Sequence, residues 1–123
     1  MPEGPERPRV LVVEDEAMIA MLIEDMLEEL GYAVAMVAGR LQTALQAVEA
    51  HNFDVAIVDV NIAGQTSYPV ADRLTARGIP FAFVTGYGSN GLAEAYAAIP
   101  VLQKPFRIAD LTQLMQRLLT GAG

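Results

Sequence analysis

Val55-Ala56-Ile57-Val58-Asp59 is four apolar residues, three of them β-branched, closed by a carboxylate. A run this short, with no polar alternation, reads as a strand covered on both faces, which is the habit of a parallel sheet flanked by helices. The chain on either side agrees. Val10-Leu11-Val12-Val13 and Ala33 to Ala38 are strands upstream, and Pro80 to Val84 and Ile99 to Gln103 are strands downstream. Helical patterns fill the gaps. Ile19, Leu22, Ile23, Met26 and Leu30 recur at helical spacing, with Glu24, Asp25, Glu28 and Glu29 opposite, and Gly31 follows where a left-handed cap would end the helix. Leu41, Ala44, Leu45 and Val48 predict a second helix ending near His51-Asn52. Val70, Ala71 and Leu74 predict a third, stopped by Gly78. Ser89 to Ala98 predicts a weak, Ala-rich fourth, and Ile108, Leu111, Met115 and Leu118 an amphipathic last one. Five βα units imply an α/β fold: a doubly wound five-stranded parallel sheet, order 2-1-3-4-5, with helices on both faces. Pro100 removes a ladder donor from the last strand and so places it at an edge.

The 123 residues fit one domain, and 53% hydrophobic residues are enough for a real core. Residues 1–8 hold three prolines and three charges and read as a disordered tail; residues 9–120 form the domain and 121–123 a C-terminal tail. The net charge of −7 argues against nucleic acid as a partner, since phosphate contacts need clustered Lys and Arg. No cysteine is present, so disulfides, thiol nucleophiles and thiolate metal sites are excluded. The longest apolar run, Ala17 to Ile23, is far short of the roughly 18 residues a membrane span needs, and the start of the chain is no signal peptide. The expectation is a cytoplasmic protein without a membrane partner.

Every strand of a parallel sheet ends on the same edge, and ligands bind there at the switch point. The polar residues past the strand ends are Glu14-Asp15-Glu16, Asp59 with Asn61, Thr85 and Lys104. Carboxylates gathered there repel each other. A protonated carboxylate would offset this; a divalent cation does so better, because hard oxygen ligands suit Mg²⁺. Lys104, the only lysine, can neutralise Asp59 or meet a phosphoryl oxygen, and Thr85 supplies a short hydroxyl for that oxygen. A carboxylate, a metal, a hydroxyl and an ammonium are the parts needed for phosphoryl transfer onto Asp59.

In this order, Glu14-Asp15, Asp59, Thr85 and Lys104-Pro105 on a βα chain resemble the receiver domain of two-component response regulators, the CheY-like fold, over about residues 9–119. The resemblance implies Asp59 as phosphoacceptor, Asp15 as a direct Mg²⁺ ligand, Glu14 as a ligand through water and the Asn61 main-chain carbonyl as a third protein ligand. It also implies that Thr85 moves to the phosphoryl group, that Lys104 pairs with it, and that the Lys104-Pro105 peptide is cis. The implied partner is a sensor histidine kinase or a histidine phosphotransfer protein, with a downstream protein target or a phosphate-sink role. The chain reads as a stand-alone receiver, catalytic only toward its own phosphorylation and hydrolysis. Pro80-Phe81-Ala82-Phe83-Val84-Thr85-Gly86-Tyr87-Gly88 looks like the signature of the subgroup called FATGUY receivers, with Val84 where Ala is usual.

Two departures matter. Glu14 stands where Asp is commoner, and Val101 occupies the slot where most receivers carry an aromatic switch. The loop Gly86-Tyr87-Gly88 is then the expected switch, two glycines flanking one large ring, although Tyr87 could equally be a surface aromatic. The main rival is a Mg²⁺-dependent aspartyl-nucleophile phosphohydrolase. Those enzymes carry a second Asp as general acid, where this chain has Asn61. A nucleotide- or flavin-binding module would need a Gly-rich cradle after the first strand, and Glu14-Asp15-Glu16 is the opposite of one. His51 reads as an exposed helix-end residue.

Overall fold

The computed structural model describes residues 7–50, 52–86 and 92–120. The main sheet is built from β1 (Arg9–Val13), β2 (Ala33–Ala38), β3 (Val55–Asp59), β6 (Phe81–Thr85) and β7 (Val101–Gln103), in the order β2-β1-β3-β6-β7 with every pairing parallel. This is the expected 2-1-3-4-5 order. Two short strands, β4 (Asn61–Ile62) and β5 (Gln65–Thr66), form a separate antiparallel hairpin that the sequence reading missed. Its tip needs left-handed backbone at Ala63 (φ 52°) and Gly64 (φ 83°). Among the described residues the α-helices are α1 (Ala17–Glu29), α2 (Leu41–Ala50), α3 (Tyr68–Ala76) and α4 (Ile108–Thr120).

Strand alternation divides the core in two. Leu11, Val13, Ala56, Val58, Phe81 and Phe83 point to the side where α2 and α3 contribute Ala44, Val48, Val70, Ala71 and Leu74. Val10, Val12, Val55, Ile57, Ala82 and Val84 point to the other, where Ile23 and Leu27 of α1 meet Leu111, Leu114, Met115 and Leu118 of α4. Each large side chain buried this way contributes about 1.5–3 kcal/mol. The chain leaves α1 through Gly31 (φ 97°): its N–H donates to Glu28 O at 3.1 Å, and the Tyr32 N–H donates to Leu27 O at 2.9 Å. That pair of bonds satisfies carbonyls the helix end would otherwise orphan.

Three expectations are corrected. The face α1 buries is centred on Ala20, Ile23 and Leu27; Ile19, Met26 and Leu30 flank it half-buried, and Leu22 is exposed. The buried stripe is rotated by about one residue from the expected one because the small side chain of Ala20 lets the helix pack closest there. The predicted Ser89–Ala98 helix is, among its described residues, only a 3₁₀ turn at Glu94–Tyr96. Pro100 disfavours helical backbone at Ile99, and no residue of the turn is fully buried, so packing does not offset the cost of nucleating an α-helix. Stacking of Tyr96 on Tyr68 of α3, ring centroids 4.1 Å apart, fixes the turn instead. The last strand begins at Val101, not Ile99; Pro100 lacks an N–H, and its carbonyl accepts from Phe83 N at 2.9 Å. His51, Tyr87 and Gly88 lie outside the described residues. No helix among the described residues is long and apolar enough to cross a membrane.

Candidate functional site

The carboxyl ends of β1, β3, β6 and β7 open into a cleft of about 710 Å³ that includes Asp15, Asp59, Asn61, Thr85, Gly86 and Lys104. Asp59 is the last residue of β3 and is buried. Its Oδ1 accepts from the Asn61 N–H at 3.1 Å and its Oδ2 accepts from Lys104 Nζ at 2.9 Å. Lys104 follows β7, and its own N–H donates to Thr85 O at 2.9 Å, so the ends of β6 and β7 are tied. The Lys104–Pro105 peptide is cis. Thr85, the last residue of β6, is buried beside them.

Glu14, just past β1, is 2% exposed. Its Oε2 accepts from the Glu16 N–H at 3.1 Å, while Oε1 makes no hydrogen bond and lies 3.4 Å from Lys104 Nζ. Burial, and next the contact with Asp59, push the Glu14 carboxyl up to about 7, against the pull of the Glu16 N–H and of Lys104. Burial alone would lower the Lys104 pKa, but the hydrogen bond and charge of Asp59, then those of Glu14, outweigh it and hold the ammonium above its ordinary value. Asp15 is exposed, and its Oδ2 accepts from Ala63 N at 2.9 Å, which fastens the β4–β5 tip to the end of β1.

Oxygens of Glu14, Asp15 and Asp59 all lie within 4.8 Å of one another. A buried carboxylate oxygen with no donor, facing two more carboxylates, fits a hard divalent cation such as Mg²⁺. The geometry therefore gathers Glu14, Asp15, Asp59, Asn61, Thr85, Gly86 and Lys104 at one strand edge. Val101 is half-buried and packs on the α2/α3 side. Two site features escaped the sequence reading: Thr66, which lines the cleft, and Ser67, whose buried hydroxyl donates to Asp59 O at 2.6 Å. Ser67 stands just ahead of Tyr68-Pro69, an ordinary helix-start pattern that signalled only a cap.

Fold and site define a two-component signalling module, and the chain belongs to the response regulator receiver domain family, whose model matches residues 10–116. The transcriptional regulatory protein PdtaR of Mycobacterium tuberculosis is 36% identical over 107 residues, covering 84% of this chain and 52% of PdtaR. The chain spans about half the length of the curated relatives it matches. The solution structure of SdrG from Sphingomonas melonis Fr1 is 40% identical with a TM-score of 0.83, covering 92% of this chain and 97% of SdrG. The receiver domain of sensor histidine kinase PA1611 from Pseudomonas aeruginosa, solved with a magnesium ion coordinated in its active-site cleft, is 26% identical with a TM-score of 0.82 and covers 94% and 99% of the two chains.

Proposed function

We propose that the domain accepts a phosphoryl group on Asp59 from a phosphohistidine of a sensor kinase or a histidine phosphotransfer protein, with Mg²⁺, and signals through protein contact or serves as a phosphate sink. The observation that carries this reading is the Asp59 carboxylate, buried at a strand end and oriented by Lys104 and the Asn61 N–H beside two further carboxylates. Asp15, Asp59 and the Asn61 carbonyl would hold the metal directly, with Glu14 acting through water. Bound there, Mg²⁺ supplies the positive charge that lets an anionic donor approach and that offsets charge on the transferring group.

An Asp59 carboxylate oxygen attacks phosphorus, the P–N bond breaks, and the imidazole leaves, its pair of electrons on nitrogen. Lys104 starts bonded to Asp59 and can follow the charge onto a phosphoryl oxygen; the Thr85 hydroxyl donates to the same group. SdrG has also been solved in a BeF3-activated conformation, which fits a site of this kind in a relative. The stretch from Pro80 to Gly88 reads as the FATGUY signature, with the Gly86-Tyr87-Gly88 loop as switch, because Val101 is too small to report the position of Thr85. The domain works in the cytoplasm, where such donors are made, and its catalysis is confined to its own phosphorylation and dephosphorylation.

Incubation with acetyl phosphate and Mg²⁺, followed by intact-mass measurement, should show one acid-labile phosphoryl group on the wild type and none on Asp59→Ala. Retention of the group by Asp59→Ala would sink the assignment, and release of many phosphates per chain would favour a phosphohydrolase.

A further inference from the structure

Beneath the acidic cluster lies a contact that neither charge nor metal chemistry explains. Ser67 is fully buried and stands at the N-cap of α3, the position where a serine side chain normally accepts from a helix N–H. Here it makes no such cap. Its hydroxyl points away from the helix and donates to the Asp59 carbonyl at 2.6 Å. Its own N–H donates to Val60 O at 2.8 Å, and its carbonyl accepts from Val70 N at 2.9 Å and Ala71 N at 3.1 Å. One residue thus joins the end of β3 to the start of α3 and closes the loop that carries the β4–β5 hairpin.

The Asp59 carbonyl needs such a donor. The pairing of β1 with β3 ends at Val13 opposite Val58, one residue short of Asp59. A buried carbonyl past the end of its ladder must be satisfied from elsewhere. The other end of the same peptide unit is already fixed, since Val60 N donates to Val84 O at 3.0 Å. With Ser67 on the carbonyl and β6 on the N–H, the unit is held at both ends. Its orientation sets where the Asp59 carboxylate leaves the strand and where the backbone of Asn61 begins, and the Asn61 N–H returns to Asp59 Oδ1.

We propose that Ser67 is a positioning residue of the site: its hydroxyl, in place of capping α3, locks the Asp59–Val60 peptide and thereby places both the Asp59 carboxylate and the Asn61 carbonyl. The phosphoryl half of this inference rests on the reading of Asp59 as acceptor; the geometric half does not.

The test uses the full chain. Mg²⁺ affinity is measured by titration of backbone amide resonances, and phosphorylation rate by intact mass with acetyl phosphate. Ser67→Ala should bind Mg²⁺ about tenfold more weakly and be phosphorylated about tenfold more slowly, the scale typical of lost outer-shell support. Thr112→Ala removes a comparable hydroxyl-to-carbonyl bond, Thr112 Oγ1 to Ile108 O at 2.7 Å, within α4, and should leave both quantities unchanged. Wild-type values for Ser67→Ala, or an equal loss in Thr112→Ala, would overturn the proposal. If Ser67→Ala does not fold, Ser67→Cys, of similar size and weaker as a donor, should show a smaller loss of the same kind, and wild-type values there overturn it too. If the wild type takes no phosphoryl group, the reading of Asp59 fails by itself and the Mg²⁺ affinities still decide the role of Ser67.

Discussion

Lys104 Nζ donates to Asp59 Oδ2 at 2.9 Å, joining the ends of two strands between which β6 lies. The same ammonium is 3.4 Å from Glu14 Oε1 and 3.8 Å from Glu16 Oε1. One cation therefore serves three carboxylates, and the site keeps an excess of negative charge that a divalent ion can offset.

Lys104→Met should expose that excess. In chelator the variant is expected to be less stable than wild type by about 1–3 kcal/mol, the partial exposure of Lys104 keeping the loss below that of a fully buried pair. Added Mg²⁺ should narrow the gap, because without the Lys104 ammonium beside Glu14 and Asp59 the folded variant binds the cation more tightly than the folded wild type does. Urea melts with and without Mg²⁺ check this; a gap that ignores the metal would mean that Lys104 and the cation do not share a task.

Glu14 gives the pH dependence. In metal-free solution it keeps its proton in the folded chain up to about pH 7, against an ordinary value of 4.5. Between those values the folded state binds the extra proton, so stability falls as pH rises through the window. Glu14→Gln removes that titration. It should match wild type near pH 5 and exceed it by about 1–3 kcal/mol at pH 8 in chelator. Parallel melting curves for the two proteins across this range would show that burial of Glu14 carries no such cost.

The Tyr68–Tyr96 stack should hold the segment between β6 and β7. Tyr96 OH donates to Asp72 Oδ1 at 2.8 Å, and Ala93 N donates to Tyr68 OH at 2.9 Å. Tyr96→Phe keeps the stack and should cost under about 1 kcal/mol, whereas Tyr96→Ala loses stack and contact area and should cost about 2 kcal/mol. Amide exchange over residues 92–100 should speed up in the alanine variant alone. Equal exchange in both would remove the clamp.

Gly31→Ala should destabilise by about 1 kcal/mol through backbone conformation only, because φ is 97° and an added Cβ would meet nothing within 4 Å. Chemical denaturation measures it; a neutral result would mean that the end of α1 relaxes freely.

Much of this was readable because strand parity carries it. Glu14, Asp59 and Lys104 continue the alternation of Val10/Val12, Val55/Ile57 and Leu102, all on the α1/α4 side, so the strands that fix the core also aim the site. Thr85 continues the alternation of Phe81 and Phe83 on the other side. The hairpin β4–β5 was not readable, since two-residue strands leave no period to detect and Ala63 does not advertise a positive φ. Ser67 was hidden for another reason: the choice between capping its own helix and bonding Asp59 O is made by tertiary proximity, which no local pattern encodes.

Because adjacent residues of β3 belong to opposite cores, the count of residues in that strand has no slack. Loss or gain of a single residue between Val55 and Val58 would exchange the two sides and carry Asp59 to the wrong one. The turns at the other end of the sheet carry no such parity. An inserted tag or a circular-permutation break is therefore refused anywhere within Val55–Asp59, whereas edge strand β2 already accommodates one extra residue, its register against β1 slipping between Val10 and Leu11.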